Sequence, residues 1–359
     1  MRCTGIGAIR PETVYRRRRP ILPARRRYHE TMEEEAIRTM ADTRPILGID
    51  IGGTKSAAVL GGAQGDILAR AEMPTQSQDG PWVILDRLVA MAKDLLSSSE
   101  IAPDALAGVG ISCGGPLDTK SGLVYDPPNL PGWTAIPVRR RFEEAFPGVN
   151  VVLENDANAT ALAEWHWGAG RGVRNLVFMT MGTGIGGGLI LDGRLYRGTN
   201  DLAGEVGHQV ILRDGPLCGC GKRGCLEALA SGPAIARLAQ ESLLYGRGKR
   251  LVEMAGGKPS LITARHVVEA AKAGDAFSRT ILAEVGGYMG IGLANLIQIL
   301  NPERIVIGTI AVHAGELILD PIRRTVEEHA WERARSVCQI VPAALGDRAQ
   351  DLAAIALIA

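Results

Sequence analysis

The chain has 359 residues, 46% hydrophobic and 22% charged, which is ordinary for a soluble globular protein of about two domains and excludes a disordered, fibrous or disulfide-dense chain. Its net charge of +1 combines +7 over residues 1–30, which hold nine arginines, with −6 over the rest, so the body lacks the positive charge typical of nucleic-acid-binding proteins. Glycine occurs 45 times, well above the average share of about 7%, and this excess needs a specific explanation.

The first 44 residues differ from the rest of the chain. Blocks of arginine alternate there with prolines and without a helical apolar period, so residues 1–44 are predicted to be a disordered Arg-rich tail. Met32 and Met40 could each be the natural start. A transit peptide or a nucleic-acid tether is the functional alternative, although this stretch contains no serine and no amphipathic face.

Neither a membrane span nor a secretory signal is predicted. No run reaches the roughly 18 apolar residues that cross a bilayer. The most apolar stretch, 285–300, contains Asn295 and Gln298 and is predicted to be a buried helix. Six cysteines are too few for a disulfide framework in a chain of this length. We therefore predict a cytoplasmic protein.

Folded structure is predicted to begin at Pro45 and to repeat. The first half is expected to contain strands and glycine turns over 45–68, a helix at about 80–98, strands at 106–113 and 149–156, and a helix at 157–167. The second half is expected to contain strands and glycine turns over 174–195, helices near 232–245, 263–274 and 275–300, a strand at 303–309, and helices near 314–330 and at the C-terminus. Because both halves open with the same hairpin pattern, we predict a duplicated α/β unit with a central cleft.

Two glycine-rich hairpins have the composition of a phosphate clamp. The first is Asp50-Ile-Gly-Gly-Thr-Lys55, and the second holds five glycines within 182–188. Glycines let backbone amides approach an anion, and a threonine hydroxyl can donate to a phosphate oxygen. Each hairpin alone could be a simple turn, but two at matching points of two halves favour a nucleotide clamp. The Walker A pattern is absent.

Residues 154–159, Glu-Asn-Asp-Ala-Asn-Ala, lie where a predicted strand leads into a helix. Strand ends that face a cleft are where α/β proteins place their chemistry. Asp156 could accept a proton from a substrate hydroxyl, and Asn155 could hydrogen-bond another hydroxyl. Asn and Asp are also good helix N-caps, so a purely structural role is the alternative.

A Cys/His set is the most specific signal in the chain. It comprises His208, Cys218, Cys220 and Cys225. Three thiolates and one imidazole complete a tetrahedral zinc set, and no position remains for water, so the predicted zinc is structural. Three buried free cysteines and a core histidine are the alternative.

The motifs DIGGTK, ENDANA, GTGIGGG, GEVGH and CGCGKRGCLE, in this order, resemble those of the ROK (repressor, open reading frame, kinase) family, which includes bacterial glucokinases and N-acetylhexosamine kinases. The resemblance covers residues 45–359. It implies an actin-like ATPase fold of ribonuclease-H type, whose two lobes close on a sugar and ATP. The lobes are expected at 45–162, joined by a C-terminal helix at about 346–359, and at 163–345, which carries the zinc loop.

The resemblance also implies roles for individual residues. Asp156 would be the base that activates the 6-hydroxyl of the sugar. The sugar would be held by Gly115, Asn129, Asn155, Asp156, Glu205, His208 and Glu227. ATP and Mg²⁺ would be held by Asp50, Gly53, Thr54, Lys55, Gly182, Thr183, Gly184 and Gly308. His208 would bind zinc with one ring nitrogen and a sugar hydroxyl with the other.

One position departs from the family pattern. Family members usually carry two or three consecutive glycines after the late strand, whereas this chain has Gly308 followed by Thr309. A threonine side chain there is expected to narrow or shift the nucleotide pocket and so to affect the choice of phosphate donor.

Two other classes of function are alternatives to a kinase: a sugar-responsive transcriptional regulator, and a non-catalytic sugar-binding protein, against which the two intact phosphate loops argue. The preferred hypothesis is an ATP-dependent glucokinase, expected as a homodimer or homotetramer, with N-acetylglucosamine or N-acetylmannosamine kinases as the nearest alternatives. The family also contains sugar-responsive transcriptional regulators, which carry a helix-turn-helix domain ahead of the body. The tail of 44 residues lacks two amphipathic helices, and Asp156 is present, so no nucleic-acid partner is expected.

Overall fold

The structure, a computed structural model, describes residues 43–243 and 246–359. The predicted tail therefore lies outside the described residues except for its last two positions, and so does the end of the helix predicted at 232–245. The remaining chain, from Thr43 to Ala359, forms one compact unit.

Two five-stranded sheets organise this unit. The first sheet has the order β3-β2-β1-β4-β7 and consists of β1 (Ile46–Ile51), β2 (Lys55–Gly61), β3 (Ile67–Pro74), β4 (Gly108–Cys113) and β7 (Val151–Asn155). The second has the order β10-β9-β8-β11-β12 and consists of β8 (Leu176–Met179), β9 (Gly187–Leu191), β10 (Arg194–Leu195), β11 (Arg304–Ile307) and β12 (Gln339–Pro342). A short hairpin of β5 (Leu117–Asp118) and β6 (Leu123–Val124) follows the first sheet's β4.

The two sheets have the same topology. In each, the opening strand pairs antiparallel with the strand that follows its glycine turn and parallel with a later strand, as β1 does with β2 and β4, and β8 with β9 and β11. A second parallel strand then extends the sheet, β7 in one and β12 in the other. The duplicated α/β unit predicted from the two hairpins is confirmed.

Twelve α-helices are present in the described residues. They are α1 (Pro81–Ser98), α2 (Val138–Ala145), α3 (Asp156–Trp167), α4 (Leu226–Ala230), α5 (Gly232–Ser242), α6 (Lys249–Met254), α7 (Ala264–Lys272), α8 (Ala276–Leu300), α9 (Ile310–Ala314), α10 (Glu316–His329), α11 (Glu332–Arg335) and α12 (Ala349–Ile355). The longer ones fall within a few residues of their predicted positions. The short α2, α4, α6, α9 and α11, and the edge strand β12, were not predicted.

Helix α8 is the only described helix long and apolar enough to cross a membrane. Its most apolar window is 61% buried inside the protein, which is expected of a core helix. Its glycines explain part of the glycine excess, because a Cβ on Gly290 would lie 2.4 Å from the Cβ of Thr325 on α10, and one on Gly286 would lie 2.6 Å from the Cβ of Pro321. The close packing of α8 against α10 thus requires glycine at these two positions, in addition to the glycines of the two hairpins.

The chain passes between the two sheets at two crossings. Helix α3 leads from β7 to β8, and residues 343–348 lead from β12 to α12, which packs on β1 and β4. A Cβ on Gly110 of β4 would lie only 2.0 Å from the carbonyl oxygen of Ala354, so this contact requires a glycine. The lobe boundary predicted at residue 162 falls inside α3 and stays a prediction.

Glu164 joins the two crossings. Its side chain is fully buried on α3 and accepts hydrogen bonds from the backbone N–H of Ala169 at 2.7 Å and from those of Ala344 and Leu345, both at 3.0 Å. The first donor follows α3 and the other two belong to the second crossing. Three backbone donors stabilise a carboxylate that has no cationic partner among the described residues.

We expect Glu164→Gln to lower the free energy of unfolding by about 2–4 kcal/mol, because the amide nitrogen must face an N–H donor and the remaining bonds lose their charge assistance. Urea denaturation of the purified chain measures the change. Glu144→Gln is the matched control: this carboxylate is exposed and ion-paired with Arg140, so about 0.5 kcal/mol or less is expected. Equal stability of the two variants would show that Glu164 does not hold the crossings together.

Candidate active site

A cavity of about 410 Å³ is lined by residues from the carboxyl ends of strands in both sheets. Its polar wall includes Asp50 of β1, Ser112 of β4, Asp156 at the start of α3, Thr180 after β8, and Gly308 and Thr309 after β11. Parallel strands end at the same edge of a sheet, and clefts at that edge are the usual ligand sites of α/β proteins. The cavity therefore brings together three residues predicted for the site, Asp50, Asp156 and Gly308.

Two of the carboxylates that line this cavity, Asp50 and Asp156, have raised pKa values. Burial raises the pKa of Asp50 to about 7, with the neighbouring Asp156 adding to the rise and a hydrogen bond from Ser112 opposing it. The parallel register places Ser112 directly beside Asp50. Burial also raises the pKa of Asp156, opposed by the Ala157 N–H and reinforced by the charge of Glu205. Acids enclosed in this way attract protons or a metal cation.

Asn155, and not Asp156, is the N-cap of α3. Its Oδ1 accepts hydrogen bonds from the N–H groups of Ala157 at 2.9 Å and Asn158 at 3.3 Å, so it is the N-cap of α3. Asp156 is the first helical residue and remains accessible from the cavity. The cap leaves the Asn155 Nδ2 to donate elsewhere, and this atom lies 3.1 Å from where a Cβ on Gly115 would be.

The buried carboxylate of Glu154 fixes the conformation at the end of β7. This carboxylate is fully buried, pairs with Arg197 at 2.6 Å and accepts a hydrogen bond from the Asn158 side chain at 3.0 Å. It also accepts the N–H of Asn155 at 2.9 Å. The orientation of Asn155 and Asp156 thus depends on an ion pair with the loop that follows β10.

In the first hairpin, glycine permits contact with a later loop. A Cβ on Gly53 would lie 2.5 Å from the Cβ of Asn129, so the two predicted site residues pack against each other. Lys55 is placed differently, because its Nζ forms an ion pair at 3.0 Å with Glu72 and it does not line the cavity.

The second hairpin contacts the helix that follows the cysteines. Glu227 of α4 accepts the N–H of Ile185 at 2.9 Å, and a Cβ on Gly184 would lie 2.7 Å from its Oε2. The Gly186 N–H donates to the Thr180 hydroxyl at 2.9 Å. These bonds hold the loop that contains Gly182 and Thr183 in one conformation.

The four predicted zinc ligands form a cluster. The ligand atoms of His208, Cys218, Cys220 and Cys225 lie within 4.8 Å of one another. The sulfurs of Cys220 and Cys225 are 3.7 Å apart, as are the Cys218 sulfur and the His208 Nδ1. Tetrahedral zinc with bonds of about 2.3 Å would separate its sulfur ligands by about 3.8 Å. The donor set and its spacing fit a zinc ion.

Two carboxylates connect the cluster with the cavity. The His208 Nδ1 faces the cysteines, and its Nε2 lies 3.8 Å from the Oε2 of Glu205. The charge of Glu205 in turn contributes to the raised pKa of Asp156. Glu227 lies 3.6 Å from the Cys218 sulfur. Of the predicted sugar-binding residues, His208 belongs to the cluster, Glu205 lies between it and Asp156, and Glu227 lies between Cys218 and the second glycine loop.

Thr309 has an unusual backbone. Its φ of 54° and ψ of −105° fall in a region that favours glycine, and a β-branched residue there is an outlier. Such conformations cost on the order of 1–3 kcal/mol. Its side chain is exposed to the cavity, as the predicted narrowing of the pocket requires.

Several polar residues that line the cavity were not predicted from the sequence, among them Ser112, Glu164 and Thr180. Ser112 and Thr180 lie at strand ends, in positions equivalent to those of the predicted residues, and strand-end placement would have found them. Glu164 lies on the apolar face of α3 with Ala157 and Ala161, and a single acid on such a face was the available signal.

Comparisons with known proteins agree on one family. The sequence profile of the ROK family matches residues 46–359. A glucokinase from Halalkalibacterium halodurans is 36% identical over 84% of this chain and 91% of its own. A xylose repressor from Caldicellulosiruptor bescii is 32% identical over 88% and 78%. The crystal structure of a ROK family glucokinase from Streptomyces griseus in complex with glucose and AMPPNP superposes with a TM-score of 0.72, at 34% identity over 86% of this chain and 97% of that one.

Proposed function

The chain belongs to the ROK family, and from that premise we propose that it is an ATP-dependent sugar kinase that phosphorylates the 6-hydroxyl of a hexose, with glucose as its principal substrate. The observation that carries the proposal is the position of Asp156. It begins a helix at the wall of a cavity lined from two matching sheets, and its carboxylate is not used as a helix cap.

In this function Asp156 accepts the proton of the 6-hydroxyl as that oxygen attacks the terminal phosphorus of ATP. Burial raises the pKa of Asp156, which makes the ionised carboxylate a stronger base. The Asn155 cap and the buried Glu154 fix the backbone that carries it. Phosphoryl transfer depends mainly on such positioning and on charge neutralisation.

The sugar would bind between Asp156 and the Cys/His cluster. The Asn155 Nδ2, Glu205, the His208 Nε2 and Glu227 present donors and acceptors to ring hydroxyls, and Gly115 and Asn129 line the approach from the first half. Asn155 can serve the sugar only through its amide nitrogen, because its oxygen caps α3.

ATP would bind along the cavity, with its phosphates near Gly53, Thr54, Gly182, Thr183 and Gly184 and its remainder near Gly308. Asp50 would hold Mg²⁺ directly or through water, and the ion supplies charge neutralisation at the phosphates when bound. The raised pKa of Asp50 fits a cation site, because a neighbouring cation is what stabilises such an enclosed carboxylate. Lys55 would reach a phosphate only by leaving Glu72.

We also propose a structural zinc ion, held by His208, Cys218, Cys220 and Cys225. All four positions are protein atoms, so the ion would organise the loop and orient His208, with no open position for substrate. We further propose a cytoplasmic homodimer or homotetramer, with the sheets as the cores of two lobes, which rests on the family alone.

We expect the purified chain, with ATP and Mg²⁺, to release ADP in a coupled assay with glucose, mannose, fructose, N-acetylglucosamine and N-acetylmannosamine, with the highest kcat/KM for glucose. Xylose is the matched control, because it has the ring of glucose without the 6-hydroxymethyl group and should give no phosphorylated sugar. Failure to turn over any of the five sugars would contradict a hexose kinase, and a clear preference for an N-acetylated sugar would move the substrate to that class.

A sugar-responsive regulator is the second candidate, favoured by the 32% identity to the xylose repressor. It predicts sugar binding without turnover. An accessible Asp156 and two glycine loops are features that a sugar sensor does not require. The same panel, run beside a direct sugar-binding titration, therefore separates the two functions.

A further inference from the structure

The strained backbone of Thr309 is held from both sides. The Gly308 N–H donates to the Met179 carbonyl at 2.8 Å, and the Ile310 N–H donates to the Met181 carbonyl at 2.9 Å. The Thr309 carbonyl accepts the N–H of His313 at 3.2 Å. Because these bonds fix the residues around it, Thr309 cannot relax to a negative φ without breaking them. Strain persists where surrounding structure imposes it in this way, and such positions cluster at ligand sites.

The Thr309 side chain lies beside the second glycine loop. The Thr309 Cγ2 lies 3.6 Å, and its Oγ1 3.9 Å, from where a Cβ on Gly182 would be. A β-branched side chain has few χ1 rotamers, so the hydroxyl has few directions open to it. It has no hydrogen-bond partner among the residues that the structure describes, and the residue is exposed to the cavity.

We propose that the Thr309 hydroxyl is a donor-binding group, which hydrogen-bonds to a non-bridging phosphate oxygen of the nucleotide above Gly182. The inference rests on the proposed function, since it needs a nucleotide in this cavity. A hydroxyl is a good donor to an anionic oxygen, and a side chain with few χ1 rotamers loses little freedom on binding. Thr309 thus adds a specific polar contact at a position where glycine would offer only backbone.

Two variants separate the hydroxyl from the shape of the residue. Thr309→Val keeps the β-branch and the strained backbone but removes the hydroxyl, and Thr309→Ser keeps the hydroxyl without the methyl. We expect calorimetric titration with AMPPNP and Mg²⁺ to show binding about tenfold or more weaker for the valine variant, since hydrogen bonds to charged groups are the stronger ones. The serine variant should stay within about threefold of the wild type.

A third variant tests the strain independently. Thr309→Gly removes the unfavourable backbone conformation together with the hydroxyl, so it should melt no lower than the wild type and yet bind AMPPNP as weakly as the valine variant. A residue with only a structural role would not produce this opposition between stability and nucleotide affinity.

The outcomes are distinct from those that test the kinase itself. Equal AMPPNP affinity of the valine variant and the wild type would overturn the role of Thr309, whatever the sugar panel shows. A parallel weakening of glucose binding in the valine variant would also overturn it, because the whole cleft would then have changed. If the wild type binds AMPPNP but phosphorylates no sugar, the proposed function fails while the Thr309 contact is still measured. Absence of AMPPNP binding to the wild type would overturn both.

Discussion

Asp156→Asn should lower kcat by at least a hundredfold while sugar binding is kept, because general-base catalysis contributes about 10²–10⁴ to rate and an amide cannot accept the proton. The substitution is almost isosteric. The Oδ1 that accepts the Ala157 N–H at 2.8 Å is retained in asparagine, and Asn155, not Asp156, caps the helix. Steady-state kinetics with glucose and ATP, beside a glucose titration, measure the two effects separately.

The fold of this variant should be unharmed. Burial disfavours the charged form of Asp156, and the neighbouring Asp50 repels it, so removing the charge is expected to leave the melting temperature unchanged or higher. Asp104→Asn, at an exposed position far along the chain from the motif, is the matched control and should retain wild-type kcat. Turnover of Asp156→Asn within about threefold of the wild type would contradict the assignment of Asp156 as the base.

The second large effect concerns the Cys/His cluster. Metal analysis should find about one zinc per chain, and Cys220→Ser should lose it and raise the glucose KM about tenfold or more, because metal binding and loop folding are one equilibrium. Cys220 is the suitable ligand to replace, since it is exposed and its substitution disturbs no core packing. Glu205 and His208 would then lose the loop that orients them.

Cys338→Ser is the control for this experiment. Cys338 is half-buried and lies outside the cluster, so its replacement should leave zinc content and glucose KM unchanged. Extended treatment of the wild type with a chelator should reproduce the Cys220→Ser phenotype. A wild-type chain that contains no metal and still turns over glucose would contradict the zinc assignment.

The fold could be predicted because its signals are local. Each half opens with a strand, a glycine turn and a second strand, and Gly53 and Gly182 lie in equivalent turns of sheets that share one topology. The Cys/His set could also be predicted, because the spacing of residues 218–225 alone brings three thiols together. Short elements such as α2 were missed, since its eight residues are mostly charged and its apolar period, Val138 and Phe142, spans a single turn.

The parts of the site that could not be predicted depend on distant partners. Glu164 receives two of its three donors from residues about 180 positions later, and nothing near it in the chain indicates them. The backbone on either side of Thr309 is held by hydrogen bonds from Gly308 to Met179 and from Ile310 to Met181. Lys55 belongs to the motif of the phosphate hairpin, yet its Nζ forms an ion pair with Glu72 on the neighbouring strand β3. In each case tertiary contacts override what the local pattern suggests.

The hydrogen bonds to Glu164 depend on the backbone, and not on the side chains, of the residues that donate them. Its three donors are main-chain N–H groups, so the side chains at Ala169, Ala344 and Leu345 contribute nothing to these bonds. Any residue except proline supplies the same donor at those positions. The junction of the two sheets therefore depends on a side chain at one position and on the backbone at three, and proline at Ala169, Ala344 or Leu345 would remove a donor to Glu164 that other substitutions keep.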